Sequence, residues 1–118
     1  MEYRLYDLIE KEYINEPDYK WLVSKSGKIY SSELDEYLVN GVEILIERFT
    51  GLIDKNKEKI FEGDIVTHKF KRPWQTETHT STVVWDGEWM CYYLYDGTSN
   101  YRMRSDIEYE VIGDIHDN

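Results

Sequence analysis

Three histidines, His68, His79 and His116, are the natural place to look for chemistry in this 118-residue chain. They are far apart in sequence, and no Cys or Glu stands beside them at metal-ligand spacing. Neither HExxH nor CxxC occurs, so all three read as surface or turn residues and no metal is expected. GxSxG, a Walker loop and GxGxxG are also missing, and Gly51 and Gly63 are too isolated to cradle a phosphate. The chain has 24 carboxylates, enough to form close pairs by chance. The expectation is a protein that is not an enzyme and needs no cofactor. The lone cysteine, Cys91, excludes an internal disulfide, as suits a cytosolic chain. Its apolar run, Trp89-Met90-Cys91-Tyr92-Tyr93-Leu94, reads as the setting of a small buried hydrophobe.

Three other sets of residues point to binding. In His68-Lys69-Phe70-Lys71-Arg72-Pro73-Trp74, cations alternate with aromatics. Lys69, Lys71, Arg72 and Trp74 could hold phosphates and stack bases, or meet a protein partner. The plainer reading puts Lys69 and Lys71 on the solvent face of a strand and Phe70 in the core. Asp106, Glu108, Glu110 and Asp114 form a second set, with Glu10, Glu12, Glu16 and Asp18 as an alternative. Such carboxylates could imitate nucleic-acid phosphates in another protein's basic groove, although solubility alone also explains them. Asp106, Glu108 and Glu110 alternate as if on one strand face, where mutual repulsion would keep them solvated. The third set is aromatic. Phe, Trp and Tyr make up 18 residues, and Trp85, Trp89, Tyr92 and Tyr95 crowd one expected hairpin with Tyr93 and Tyr101. A strand exposes alternate residues, so Trp89 and Tyr92 cannot all face one core with Cys91 and Tyr93, and one set should face outward. That face would contact a protein partner or a second copy of the chain.

The elements that position these residues should be strands. The chain has no alanine, but it has eleven Ile, eleven Tyr, seven Val and seven Thr. A helical bundle is excluded. Leu, Ile, Val and Phe account for 29 residues, enough for one core and against wholesale disorder. The net charge of −10 excludes a generic polycationic nucleic-acid binder. Charge is uneven: residues 1–47 carry 5 basic and 11 acidic groups, whereas residues 48–72 carry 7 and 4. No signal-peptide pattern opens the chain, and no apolar run approaches the ~18 residues of a spanning helix.

Along the chain, Tyr3–Ile14 fits either a helical stripe or an alternating strand. Pro17-Asp18 breaks the pattern, Tyr19–Val23 reads as a strand, and Ser26-Gly27 turns into a short strand at Lys28–Tyr30. Ser32 with Asp35 looks like a capping box for a short helix through Leu38. Asn40-Gly41 between apolar flanks is a hairpin signal, with Val42, Ile44 and Ile46 on one face and Glu43 and Glu47 pointing to solvent. Gly51–Gly63 reads as a polar connector. Strands are then expected at Ile65–Phe70, Thr78–Trp85, Glu88–Tyr95, Tyr101–Arg104 and Ile107–Ile112, with turns at Asp86-Gly87 and Asp96-Gly97. The sum is a meander forming a small antiparallel barrel or sandwich.

Two segments carry a family resemblance. One is Arg48-Phe49-Thr50-Gly51-Leu52-Ile53-Asp54-Lys55-Asn56-Lys57-Glu58-Lys59-Ile60-Phe61-Glu62-Gly63-Asp64-Ile65-Val66. The other is Asp106 through Asn118, with Glu110-Val111-Ile112-Gly113-Asp114 at its centre. Together they resemble the YopX family of phage and prophage proteins, and Tyr3-Arg4-Leu5-Tyr6-Asp7 is similar to the family's opening. Lys57 stands where the family usually has glycine, which suggests a turn rebuilt around Asn56. The resemblance implies an SH3-like small β-barrel over residues 61–118, with residues 1–60 as an N-terminal β-rich extension packed on it and at most short helices. It supplies no activity. Thr50-Gly51-Leu52, Glu62-Gly63-Asp64 and Ile112-Gly113-Asp114 read as architecture, with glycines at bulges and strand starts. The expected function is that of a cytoplasmic phage or prophage accessory protein that binds a macromolecule, without a membrane. A protein partner is favoured over nucleic acid, and a homo-oligomer is compatible with the aromatic surface.

Overall fold

The computed structural model describes residues 2–14, 21–24, 28–31 and 36–117. Among them run twelve strands and no helix, and every registered strand pair is antiparallel. No helix of the described residues is long and apolar enough to cross a membrane. The chain divides into two compact units, Met1–Arg48 and Phe49–Asn118.

In the first unit, β1 (Tyr3–Asp7) lies between β2 (Glu12–Tyr13) and the first half of β6 (Ile44–Ile53). The ambiguous N-terminal stretch is thus strand, turn, strand. Asp7 makes the turn by accepting hydrogen bonds from the Ile9 and Glu10 amides at 2.9 and 3.0 Å, which gives the backbone an alternative to helix. β3 (Trp21–Val23), β4 (Ile29–Ser31) and β5 (Glu36–Leu38) form a three-stranded sheet with β4 central. Leu5, Ile29, Leu38, Ile44 and Ile46 build the core, and each buried side chain is worth roughly 1.5–3 kcal/mol.

Three expectations for this unit are corrected. Glu36–Leu38 is strand and not the end of a helix, because Leu38 is buried in the β core and pairs with Ile29. Ser32–Asp35, Pro17-Asp18, Tyr19 and Ser26-Gly27 lie outside the described residues. Asn40-Gly41 makes a turn but not a hairpin: β5 pairs with β4, whereas β6 pairs with β1. The Asn40 side chain instead accepts the Ile46 amide at 3.1 Å, and burial of Ile44 and Ile46 beside Leu5 selects the distant partner. Glu47 does not face solvent. It is 1% exposed, and its Oε1 accepts from Arg4 Nε at 2.7 Å and from the Tyr13 hydroxyl at 2.8 Å.

The second unit contains the rest of β6, β7 (Lys59–Phe61), β8 (Asp64–Lys71), β9 (Thr76–Asp86), β10 (Cys91–Tyr95), β11 (Asn100–Arg102) and β12 (Tyr109–Asp114). Five strands form one sheet in the order β11-β10-β9-β8-β12. The last strand therefore returns beside β8, and the end of the chain is not a simple meander. Ile60, Val66, Val83, Leu94 and Tyr109 are its buried core, with Leu52 and Tyr92 packed against it.

The expected connector at Gly51–Gly63 is in fact the β6–β7 hairpin. Phe49 pairs with Phe61, Ile53 pairs with Lys59, and a bulge intervenes. Gly51 sits in that bulge at φ 87°, a value an L side chain adopts only with strain. The turn is organised by Asp54, which is 5% exposed. Its Oδ1 accepts the amides of Asn56 and Glu58, both at 2.8 Å, and its Oδ2 accepts the Val111 amide at 3.0 Å. One side chain therefore closes the hairpin and joins it to β12. Burial opposes the charge on Asp54, but these amides outweigh it and hold its carboxyl below the usual range. The turn is not rebuilt around Asn56: Lys57 itself adopts the left-handed conformation, at φ 64°. The turns at Asp86-Gly87 and Asp96-Gly97 are as expected, each held by an Asp side chain accepting two following amides. A bulge falls between Val111 and Gly113 in β12, as the glycine suggested.

Candidate functional site

Alternation along β8 sorts the basic and aromatic run into two faces. Val66 and His68 are buried and Phe70 is half-buried, whereas Lys69 and Lys71 are exposed. β9 accompanies β8 as far as Lys71, and Arg72 donates its amide to the Gln75 carbonyl at 2.8 Å to close the hairpin. Trp74 sits in that turn, 74% exposed. Lys69, Lys71, Arg72 and Trp74 thus all reach solvent at one end of one hairpin. Arg72 lies 3.6 Å from Glu77, but Lys69 and Lys71 have no carboxylate partner among the described residues.

Behind this end lies a cluster that the sequence did not reveal. His68 and His79 face each other across β8 and β9, their rings stacked with centroids 5.7 Å apart. Phe70 lies 5.0 Å from His68 and 4.9 Å from His79, and Tyr101 and Tyr109 complete the aromatic packing. The two histidines are therefore neither distant nor both superficial. His68 is 1% exposed, its Nε2 is 3.2 Å from the Ser81 hydroxyl, and its Nδ1 is buried without a hydrogen-bond partner. Burial, then the nearby His79, lowers its pKa. His79 contacts Glu77 at 3.2 Å, and this hydrogen bond helps keep the Glu77 carboxyl below its usual range. No group of three potential ligands for a metal ion occurs among the described residues. The available signal for His68 was its position between Val66 and Phe70 on an inward-facing register. His116 is half-buried in the terminal turn.

The acidic set does not form one strand face. Asp106 and Glu108 precede β12, and only Glu110 and Asp114 lie within it. Asp106 forms a two-point contact with Arg104 at 2.6 and 2.9 Å, Glu110 pairs with Lys55, and Asp114 accepts the His116 amide at 2.8 Å. Neutralising partners and backbone bonds, rather than repulsion, define Asp106, Glu110 and Asp114. The aromatic set is also divided. Tyr92 faces inward, packs on Trp85 at 4.8 Å and donates its hydroxyl to the Phe49 carbonyl at 3.2 Å. Tyr95 is exposed on β10. Trp89 lies in the β9–β10 turn at 76% exposure, outside any strand alternation. Cys91 is half-buried, not fully buried, and lines a cavity of about 240 Å³ with Thr50, Leu52 and Tyr92.

A larger groove, about 520 Å³, runs beside β8. Thr67 through Lys71 form one wall, and Arg104 with Asp106 through Glu110 form the other.

The described residues thus form a mainly β fold of antiparallel sheets, and the end of the β8–β9 hairpin exposes Lys69, Lys71, Arg72 and Trp74. The YopX protein family model matches residues 2–118, and the chain belongs to that family. No curated protein and no solved structure matches the chain.

Proposed function

We propose that this chain is a non-enzymatic accessory protein of phage or prophage origin that acts in the bacterial cytoplasm by binding a protein partner through the end of the β8–β9 hairpin. The observation that carries this reading is the coincidence of Trp74, largely exposed in the turn, with Lys69 and Lys71, which lack carboxylate partners among the described residues. An exposed tryptophan beside unneutralised cations is the composition of an interface anchor and its steering charges. The finer fold reading, an SH3-like roll, is supported by the five-stranded antiparallel sheet with β12 returned to β8 and by the bent β6–β7 hairpin.

The second reading is nucleic-acid binding at the same end. It is favoured by the four exposed residues Lys69, Lys71, Arg72 and Trp74 and opposed by the net charge of −10. His68 is buried and Phe70 half-buried, so neither belongs to the exposed set at the hairpin end. The test is retention of partners from a bacterial lysate on the tagged full chain, with and without nuclease. The wild type is compared with Trp74→Ala and with Lys69→Ala/Lys71→Ala/Arg72→Ala. A protein retained after nuclease by the wild type, and lost with both variants, supports the proposal. Retention that disappears with nuclease and falls steeply with salt replaces it with the second reading.

A further inference from the structure

The groove beside β8 carries an internal template for what it can hold. β8 and β12 pair from Asp64 opposite Asp114 to His68 opposite Tyr109, and the registered pairing stops there. Beyond His68, the only registered strand neighbour of β8 among the described residues is β9. Lys69 and Lys71 project from the same face, about 7 Å apart at two residues of strand rise, with Phe70 on the opposite face. If the β12 register continued, Glu108 would fall opposite Lys69, Ile107 opposite Phe70 and Asp106 opposite Lys71. The chain thus spells the complement of this edge: carboxylate, apolar residue, carboxylate. Its own copy lines the opposite wall of the groove without pairing to β8, because Arg104 holds Asp106 in a two-point contact and β12 begins only at Tyr109. Of the groove's cations, Lys55 is neutralised by Glu110 and Arg104 by Asp106.

We propose that this groove docks an extended segment of a partner protein in which two carboxylates flank one apolar residue. The segment lies along Lys69–Lys71, each carboxylate meeting one lysine and the apolar side chain entering on the Phe70 side. Alternation of side chains along a strand sets this spacing, as in other cases of strand addition to a sheet edge. The proposal rests on the protein-binding reading above and names the partner's chemistry. A nucleic acid fits less well, because Lys55 and Arg104 are already neutralised, and the Glu108 carboxylate in the same groove opposes a continuous phosphate chain.

The test is fluorescence anisotropy of the full chain with a labelled peptide Gly-Asp-Ile-Glu-Tyr-Gly. Its controls are the same peptide with lysines in place of both acids, a scrambled acidic peptide and a labelled single-stranded oligonucleotide. The expected result is binding of the acidic peptide tighter than about 1 mM, at least about tenfold weaker in Lys69→Glu/Lys71→Glu. The charge-reversed protein should prefer the lysine peptide, which shows that it is folded and that the register is read. Equal binding of the scrambled peptide, no peptide binding, or binding of the oligonucleotide alone overturns the proposal. So does hydrogen exchange of the free protein in which the Lys69–Lys71 amides are as protected as those of Val66 and His68, since residues 106–108 would then occupy the edge. Trp74→Ala separates the two ideas: it leaves peptide binding intact even if it also leaves partner retention intact, and in that case only the functional proposal fails.

Discussion

Glu47 in the first unit and Asp54 in the second are both buried carboxylates, and different kinds of donor satisfy them. Glu47 is met by side chains, those of Arg4 and Tyr13, from strands far away in sequence. Arg4 also lies 4.6 Å above the Tyr13 ring, so the three residues form one polar cluster. Asp54 is met by three main-chain amides, two from its own turn and one from β12. A side-chain donor can be substituted together with its acceptor. Main-chain donors remain whatever the sequence, and without Asp54 they are left unsatisfied. The difference predicts that the second unit depends on one residue and the first on a replaceable pair.

Asp54→Ala should therefore have the largest effect. It orphans the amides of Asn56, Glu58 and Val111 and should cost the full chain about 3 kcal/mol, read from urea unfolding. The acid side of the stability profile should change too. Because the folded carboxyl titrates below its ordinary value near 3.8, its contribution is complete above that pH and is lost as pH falls through the folded pKa. Asp54→Ala should lack this component. A loss under 1 kcal/mol would show that water replaces the side chain and would erase the contrast with Glu47.

The same contrast explains what could be read from the sequence. Local polar bonds leave local signatures: Asp86-Gly87, Asp96-Gly97 and the glycines of the bulges fall where the residue types placed them. Partners distant in sequence leave none. Nothing near Glu47 announced Arg4 and Tyr13, so a carboxylate expected on the solvent side proved buried. Asn40-Gly41 makes a turn but not the expected hairpin, because the choice of β1 as partner for β6 depends on burial of Ile44 and Ile46 beside Leu5. The candidate site follows the same rule. Lys69 and Lys71 were legible as exposed by alternation, whereas the stacking of His68 on His79 depends on the register between two strands.

Arg4→Met should come next, at about 2 kcal/mol, because it leaves Glu47 buried with the Tyr13 hydroxyl still donating. The double variant Arg4→Met/Glu47→Leu should recover at least half of that loss, since neither charge then remains. If the double variant is as unstable as the sum of the two singles, the cluster is not a replaceable pair.

His68 tests the contrast from the other side, as a buried polar group with one nitrogen satisfied and one not. Its folded pKa lies below the ordinary value near 6.5, through burial first and His79 second, while Asp96 acts weakly in the opposite direction. The sign follows from linkage. The unfolded chain binds the proton more readily, so stability is complete above about pH 6.5 and falls as pH drops toward the folded pKa. His68→Phe should flatten the profile between pH 7 and pH 5, measured as the difference in urea midpoint. An unchanged slope would show that His68 does not carry the acid sensitivity.

The smallest effect concerns Lys57, and it sharpens the account of the Asp54 turn. Lys57 holds φ 64° and donates its amide to the Asp54 carbonyl at 3.0 Å. A left-handed conformation costs an L residue about 1–2 kcal/mol, and part of that is offset because glycine loses more backbone entropy on folding. Lys57→Gly should therefore stabilise the chain by about 0.5–1 kcal/mol. Asn56→Gly should not, because Asn56 does not carry the positive φ. Equal gains from both would mean that the turn shifts its left-handed residue freely and that Asp54 does not hold it in one conformation. A gain from Lys57→Gly alone would mean that three amides on one carboxylate are strong enough to keep a lysine in a conformation natural to glycine.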